Sequence, residues 1–135
     1  MSNTKATGVA YLDPEFSTCY ATEEIGYAAA AQGAVTQLTS KSTGVTLNTS
    51  AGQITMNNAA LAATTNVSFT LTNSLLSAKD VIIFNVSGGN ATPGTYNVFT
   101  STLAAGSATV VLRNISGGSL SEAVVLNFVI IHNAS

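Results

Sequence analysis

From Gly44 onward the chain keeps a period of two. Val45 and Leu47 alternate with Thr46 and Asn48, and Val67, Phe69 and Leu71 alternate with Ser68, Thr70 and Thr72. Successive side chains of a strand point to opposite faces, so this pattern describes strands with one buried face and one wet face. The β-branched threonines suit the wet face, where they pack on a pleated surface and still hydrogen-bond to water. Turn-forming clusters punctuate the pattern about every ten residues: Ser50-Ala51-Gly52, Ser87-Gly88-Gly89-Asn90, Pro93-Gly94, Ala104-Ala105-Gly106-Ser107 and Gly117-Gly118. No segment supports a βαβ unit. The expected fold is all-β: a single antiparallel β-sandwich, jelly-roll-like, with about seven or eight strands.

The chain divides near Thr43. Residues 1–43 hold six of the ten charged side chains and three of the four tyrosines, Tyr11, Tyr20 and Tyr27. No clean strand alternation runs through them, and Tyr27 to Ala34 has helix propensity for about one turn before Gly33 stops it. A segment without a packing pattern of its own is ordered by a neighbour or not at all. Residues 1–43 are therefore expected to be an extended N-terminal arm, and residues 44–135 the β-sandwich domain.

Charge is scarce. Asp, Glu, Lys and Arg make up 7% of the 135 residues, against about a quarter in ordinary soluble domains. After Gly44 only Lys79, Asp80, Arg113 and Glu122 remain. With four Lys and Arg in total, no cationic cluster can neutralise a nucleic-acid backbone. The most apolar run, Ala123 to Ile131, is far shorter than the ~20 residues of a membrane-spanning helix. Met1 to Phe16 lacks the basic start and apolar core of a secretory signal. The expected address is the cytoplasm or a particle assembled there, with neither nucleic acid nor membrane as partner.

Residues suited to chemistry are few. Cys19 is the only thiol and His132 the only histidine, and nothing in their spacing argues for a nucleophilic pair. Asp13 with Glu15, and Glu23 with Glu24, lack the dense acidic loop that calcium requires. Neither glycine-rich turn precedes a helix with a lysine, as a phosphate loop would. The expectation is a non-enzyme with no catalytic residues, no metal and no cofactor. Asn90, Tyr96, Asn97 and Phe99 form the best candidate for a sugar site on β loops.

Val124 to Ile131 is apolar on both parities, so both faces of this strand want burial. A central strand partly covered by a loop would satisfy it. So would a second face packed on another copy, with Val125, Val129 and Ile131 as the oligomer contacts.

Two patches carry a resemblance. Thr4-Lys5-Ala6-Thr7-Gly8-Val9-Ala10-Tyr11-Leu12-Asp13-Pro14 resembles the start of small virion proteins of tailed bacteriophages. The stretch from Gly44-Val45-Thr46-Leu47-Asn48 through Gly52-Gln53-Ile54-Thr55-Met56 to Gly118-Ser119-Leu120-Ser121-Glu122-Ala123 resembles a β module of phage structural proteins. Ser17 to Ala31 has no counterpart in that pattern. The resemblance implies a capsid decoration (cement) protein or head-fibre subunit, a trimer on the outer surface of the head that bridges units of the major capsid protein. The arm residues expected at the capsid are Val9, Tyr11, Leu12, Phe16 and Tyr20. The alternative is a fibre or surface adhesion module that binds host glycan or receptor through its β loops.

Overall fold

A computed structural model describes residues 16–133. After a single 3-10 turn at Ala29–Ala31 come eight strands: β1 (Gln32–Thr36), β2 (Val45–Thr46), β3 (Ala51–Thr55), β4 (Asn66–Thr72), β5 (Val81–Gly88), β6 (Tyr96–Ala104), β7 (Ser107–Asn114) and β8 (Val125–Ile131). They form two four-stranded sheets, ordered β1-β3-β8-β5 and β2-β4-β7-β6. The two sheets pack as a sandwich. No described helix is long and apolar enough to cross a membrane.

The sandwich is mixed, not wholly antiparallel as expected. β1 runs parallel to β3, and β2 runs parallel to β4. Between β1 and β3 the chain leaves the first sheet, contributes β2 to the second, and returns in its original direction. Such a crossover places parallel neighbours side by side, whereas a tight hairpin can only make antiparallel ones. The β6–β7 hairpin is of the second kind, closed at Ala105-Gly106 with Gly106 at φ +78°.

Sheet pairing also begins before Thr43. β1 lies in the segment expected to be arm, and Gln37 and Lys41 are buried behind it. Five residues reading Gln-Gly-Ala-Val-Thr carry too few large apolar groups to display alternation, so the strand is invisible until β3 is beside it. Gly33 and Gly52 sit side by side there, and a Cβ on Gly52 would lie 2.9 Å from Leu47 and 3.0 Å from Phe128. The two glycines let those larger side chains fill the space between the sheets.

Inward positions make one continuous core. Ile54, Leu126, Phe128, Ile130 and Ile82 come from the first sheet, and Val45, Phe69, Leu71, Val110, Leu112 and Tyr96 from the second. Phe84 and Phe128 are cross-strand partners with ring centroids 5.6 Å apart, a separation typical of favourable aromatic pairs. Burying each large aliphatic or aromatic side chain is worth about 1.5–3 kcal/mol. Burial of such groups is the main force holding the sheets together.

Candidate contact surfaces

β8 is a central strand between β3 and β5. Its inward parity, Leu126, Phe128 and Ile130, is buried, and its outward parity is Val125, Asn127, Val129 and Ile131. The register places Val81 opposite Ile131, and Ile83 opposite Val129, which in turn faces Ala51. One end of the outer face is therefore an apolar block. Val81, Ile83 and Ile131 are 49%, 50% and 50% exposed, high values for branched aliphatics on a sheet.

The other end of the same face is polar. Asn127 Oδ1 accepts from Gln53 Nε2 and from the Ser87 hydroxyl, each at 3.0 Å, and Ser87 also donates to the Val125 carbonyl at 3.2 Å. Val125 lies in this polar half. The structure thus joins Val129 and Ile131 into one patch but separates Val125 from them. Val81 and Ile83 complete the patch and were missed in the sequence. The signal was present in Val81-Ile82-Ile83-Phe84, which is apolar on both parities just as the last strand is.

Beside the apolar block the chain that leads into the sandwich crosses the first sheet. The Tyr27 hydroxyl donates to the Ile130 carbonyl, and Gln32 Nε2 donates to the Tyr27 carbonyl at 3.0 Å. Ile25 to Tyr27 form one wall of an open groove of about 920 Å³ whose other wall is Val129 to His132. From Phe16 to Gly26 every residue is exposed, with Phe16, Tyr20 and Ile25 at 65%, 89% and 89%. Of the residues expected at the capsid, Phe16 and Tyr20 belong to this uncovered stretch. Val9, Tyr11 and Leu12 lie outside the described residues.

The ionisable groups are used as ties. Asp80 accepts from the Ser77 amide at 2.9 Å, the Ser77 hydroxyl at 3.0 Å and the Asn133 amide at 3.1 Å, and its Oδ2 lies 3.0 Å from His132 Nδ1. These bonds, the Ser77 amide foremost, stabilise the carboxylate and hold its pKa down at about 2. His132 is thereby committed to anchoring the end of β8. Cys19 is exposed on the uncovered segment, with no contact to His132.

A second tie closes the opposite end of the sandwich. Lys41 Nζ donates to the carbonyls of Asn57 and Glu122, and burial lowers its pKa against the opposing pull of the Glu122 charge. Glu122 Oε1 accepts from the Ala91 amide at 2.6 Å. Its Oε2 and the Tyr96 hydroxyl are both buried, and neither has hydrogen-bond geometry to a partner. Burial first, and the neighbouring Glu122 carboxylate second, push the Tyr96 phenol up to about 12. Among the described residues no three His, Cys, Asp or Glu side chains converge as metal ligands would.

The four candidate sugar contacts fall into two pairs: Asn90 and Tyr96 line one open groove beside Val86 to Gly88, and Asn97 and Phe99 share the outer face of β6. Tyr96 is buried, whereas Asn97 and Phe99, two residues apart on that strand, are both exposed. Asn90 sits in the preceding loop with its amide donated to Thr92. Strand alternation separates Tyr96 from Asn97 and Phe99. Comparison with protein-family models, with known proteins and with solved structures finds no match.

Proposed function

We propose that this chain is a structural virion protein, a capsid decoration protein that binds the outer surface of a tailed-phage head as a trimer and stabilises the shell by bridging capsid subunits. The observation that carries the reading is a pairing of two contact elements with exposed apolar side chains on one body. One is the apolar block of Val81, Ile83, Val129 and Ile131, and the other is the exposed leading segment with Phe16 and Tyr20. Large apolar side chains left open on one contiguous face mark protein contact surfaces. The resemblance at both ends of the chain supplies the kind of particle.

The mechanism is mechanical. A packaged head loads the seams between capsomers, and a protein bound across a seam adds interface that must break before the seam opens. Interfaces of ordinary size bury about 800 Å² on each partner. The block on the first sheet holds copies together, and the leading segment runs toward the shell. The major capsid protein and further copies of the chain are the partners, and the virion surface is the location, reached by assembly in the host cytoplasm.

The test is addition of purified protein to expanded shells of its phage. Stoichiometric coating, with shells that then resist heat or chelator longer, supports the reading. Shells that stay bare at micromolar protein overturn it.

A further inference from the structure

The sandwich has four sheet edges, and three are protected. β5 and β6, the edge strands on one side, each carry a register break, between Val86 and Gly88 and between Thr100 and Thr102, and such bulges blunt an edge. β2 is only two residues long. The fourth edge is β1, five residues without a charge or a proline, the devices that ordinarily stop another strand from adding.

The register shows which of its backbone groups are free. Gln37 N–H donates to the Thr55 carbonyl at 2.9 Å, and in a parallel pair alternate residues turn both backbone groups to the same neighbour. Gly33 and Val35 therefore bond to β3. The N–H and C=O of Ala34 and Thr36, and the C=O of Gln32, point away from the sheet, while the Gln32 N–H is taken by the Ala29 carbonyl.

The same chain carries a segment that pairs with no other described residue. Phe16-Ser17-Thr18-Cys19-Tyr20-Ala21-Thr22 is too short to show a clean strand pattern, yet its two aromatic and two threonine side chains fall on one parity and suit an added strand. Between Phe16 and Gly26 no residue makes a backbone hydrogen bond to another described residue. It is uncharged until Glu23, matching the uncharged edge.

We infer that β1 accepts an added strand and that the strand is Phe16–Thr22 of a second copy. The segment's own anchor favours exchange over self-pairing. Tyr27 is tied to Ile130 on β8, which lies beyond β3 from β1, so the chain is led across the sheet and away from its own free edge. Donation is then head-to-tail, each copy giving a strand on one side and taking one on the other, and such contacts close into rings when the rotation allows. The inference rests on the reading that the chain works by contact between copies, and names the surface that one such contact uses. It moves Phe16 and Tyr20 from the shell to the neighbouring copy.

Hydrogen exchange on the full chain, with oligomeric state measured by native mass spectrometry, tests this. The Ala34 and Thr36 amides should be protected about 100-fold or more in the associated protein and lose that protection on dilution to monomer. Thr18→Pro combined with Thr22→Pro removes donor amides from exposed positions, and should abolish the protection. Ala34→Pro removes an amide that β3 does not use, a position where an edge strand tolerates proline, and should weaken association at least tenfold. If Ala34→Pro also lowers the melting temperature, the double variant alone decides. A monomeric full chain overturns the inference, as does protection that is independent of concentration or survives in the double variant. Bare shells in the decoration assay would remove the phage assignment and leave this inference standing.

Discussion

The Asn114 side chain donates to the Leu61 carbonyl at 3.0 Å, across 53 residues of sequence. Its Nδ2 also reaches the carbonyls of Ala62 at 3.1 Å and Gly118 at 2.8 Å, while its Oδ1 accepts from the Ser116 amide at 2.9 Å and hydroxyl at 2.7 Å. Asn73 does the same work at the end of the neighbouring strand β4: Nδ2 donates to the Thr49 carbonyl at 2.7 Å and Oδ1 accepts from the Leu75 amide at 2.9 Å. Both asparagines are fully buried. Each turns the chain at a strand end and ties that end to a remote loop.

Asn114→Ala should therefore destabilise the sandwich by about 3 kcal/mol, because several buried backbone groups lose their partner at once. Asn73→Ala, with fewer bonds, should cost about 2 kcal/mol. Urea unfolding midpoints at unchanged slope check both. A loss under about 0.5 kcal/mol for Asn114→Ala, the low end for one net hydrogen bond, would show that water replaces the side chain.

These two residues also show where sequence reading stops. The strand β4 was legible because Val67, Phe69 and Leu71 alternate with hydroxyl residues, and the β6–β7 hairpin because Gly106 sits between two such runs. Asn73 and Asn114 continue the inward parity, two residues after Leu71 and Leu112, but an asparagine there reads as the end of a strand and not as core. The loops that arrive from elsewhere, at Thr49 and Leu61, supply the partners that let them be buried. The parallel partners β1 and β3 were beyond reach for a similar reason: their pairing is set by a crossover through the other sheet, which local pattern does not encode. Half of the outer patch was readable from the last strand. Its other half, Val81 and Ile83, required the β5–β8 register.

Asp80 sets the acid limit. Its folded pKa of about 2 lies below the ordinary 3.8, so the fold binds this proton more weakly than the unfolded chain. The contribution is fully present above about pH 4 and is lost as pH falls from 3.8 through 2. Asp80→Asn should lower stability at neutral pH and flatten the stability curve between those values. Denaturant titrations at several acidic pH values measure it. An unchanged slope in the variant would mean that the Ser77 and His132 bonds do not bias Asp80 ionisation.

Gly89 should tolerate no side chain. Its φ is +76°, and a Cβ there would lie 2.1 Å from the Ala123 carbonyl oxygen, a backbone atom that cannot step aside. Gly94 has nearly the same φ, +78°, but nothing within 4 Å of a Cβ. The pair separates steric overlap from backbone preference. Gly94→Ala should cost about 1 kcal/mol, the left-handed penalty alone, and Gly89→Ala at least about 2 kcal/mol more, in the range of overpacked sites. Thermal unfolding of the two variants side by side gives the comparison, and equal losses would refute the steric clash with Ala123.

The apolar block on the first sheet yields a prediction of the opposite kind, in which association weakens while the fold stays as stable as before. Ile83 and Ile131 are half exposed and lie on the same outer face, Ile83 facing Val129 and Ile131 facing Val81. Replacing both by lysine removes little buried area, so unfolding free energy should change by less than about 1 kcal/mol. The two new charges would have to be stripped of water, unpaired, for any partner to cover the block, and a buried unpaired charge costs several kcal/mol. Ile83→Lys with Ile131→Lys should thus leave the melting temperature nearly unchanged and reduce self-association and shell coating at least tenfold. Val125→Lys, in the polar half beside Asn127 and Ser87, should do neither. Association unaffected by the double variant would remove the outer face from the interface and leave the strand edges to hold the assembly.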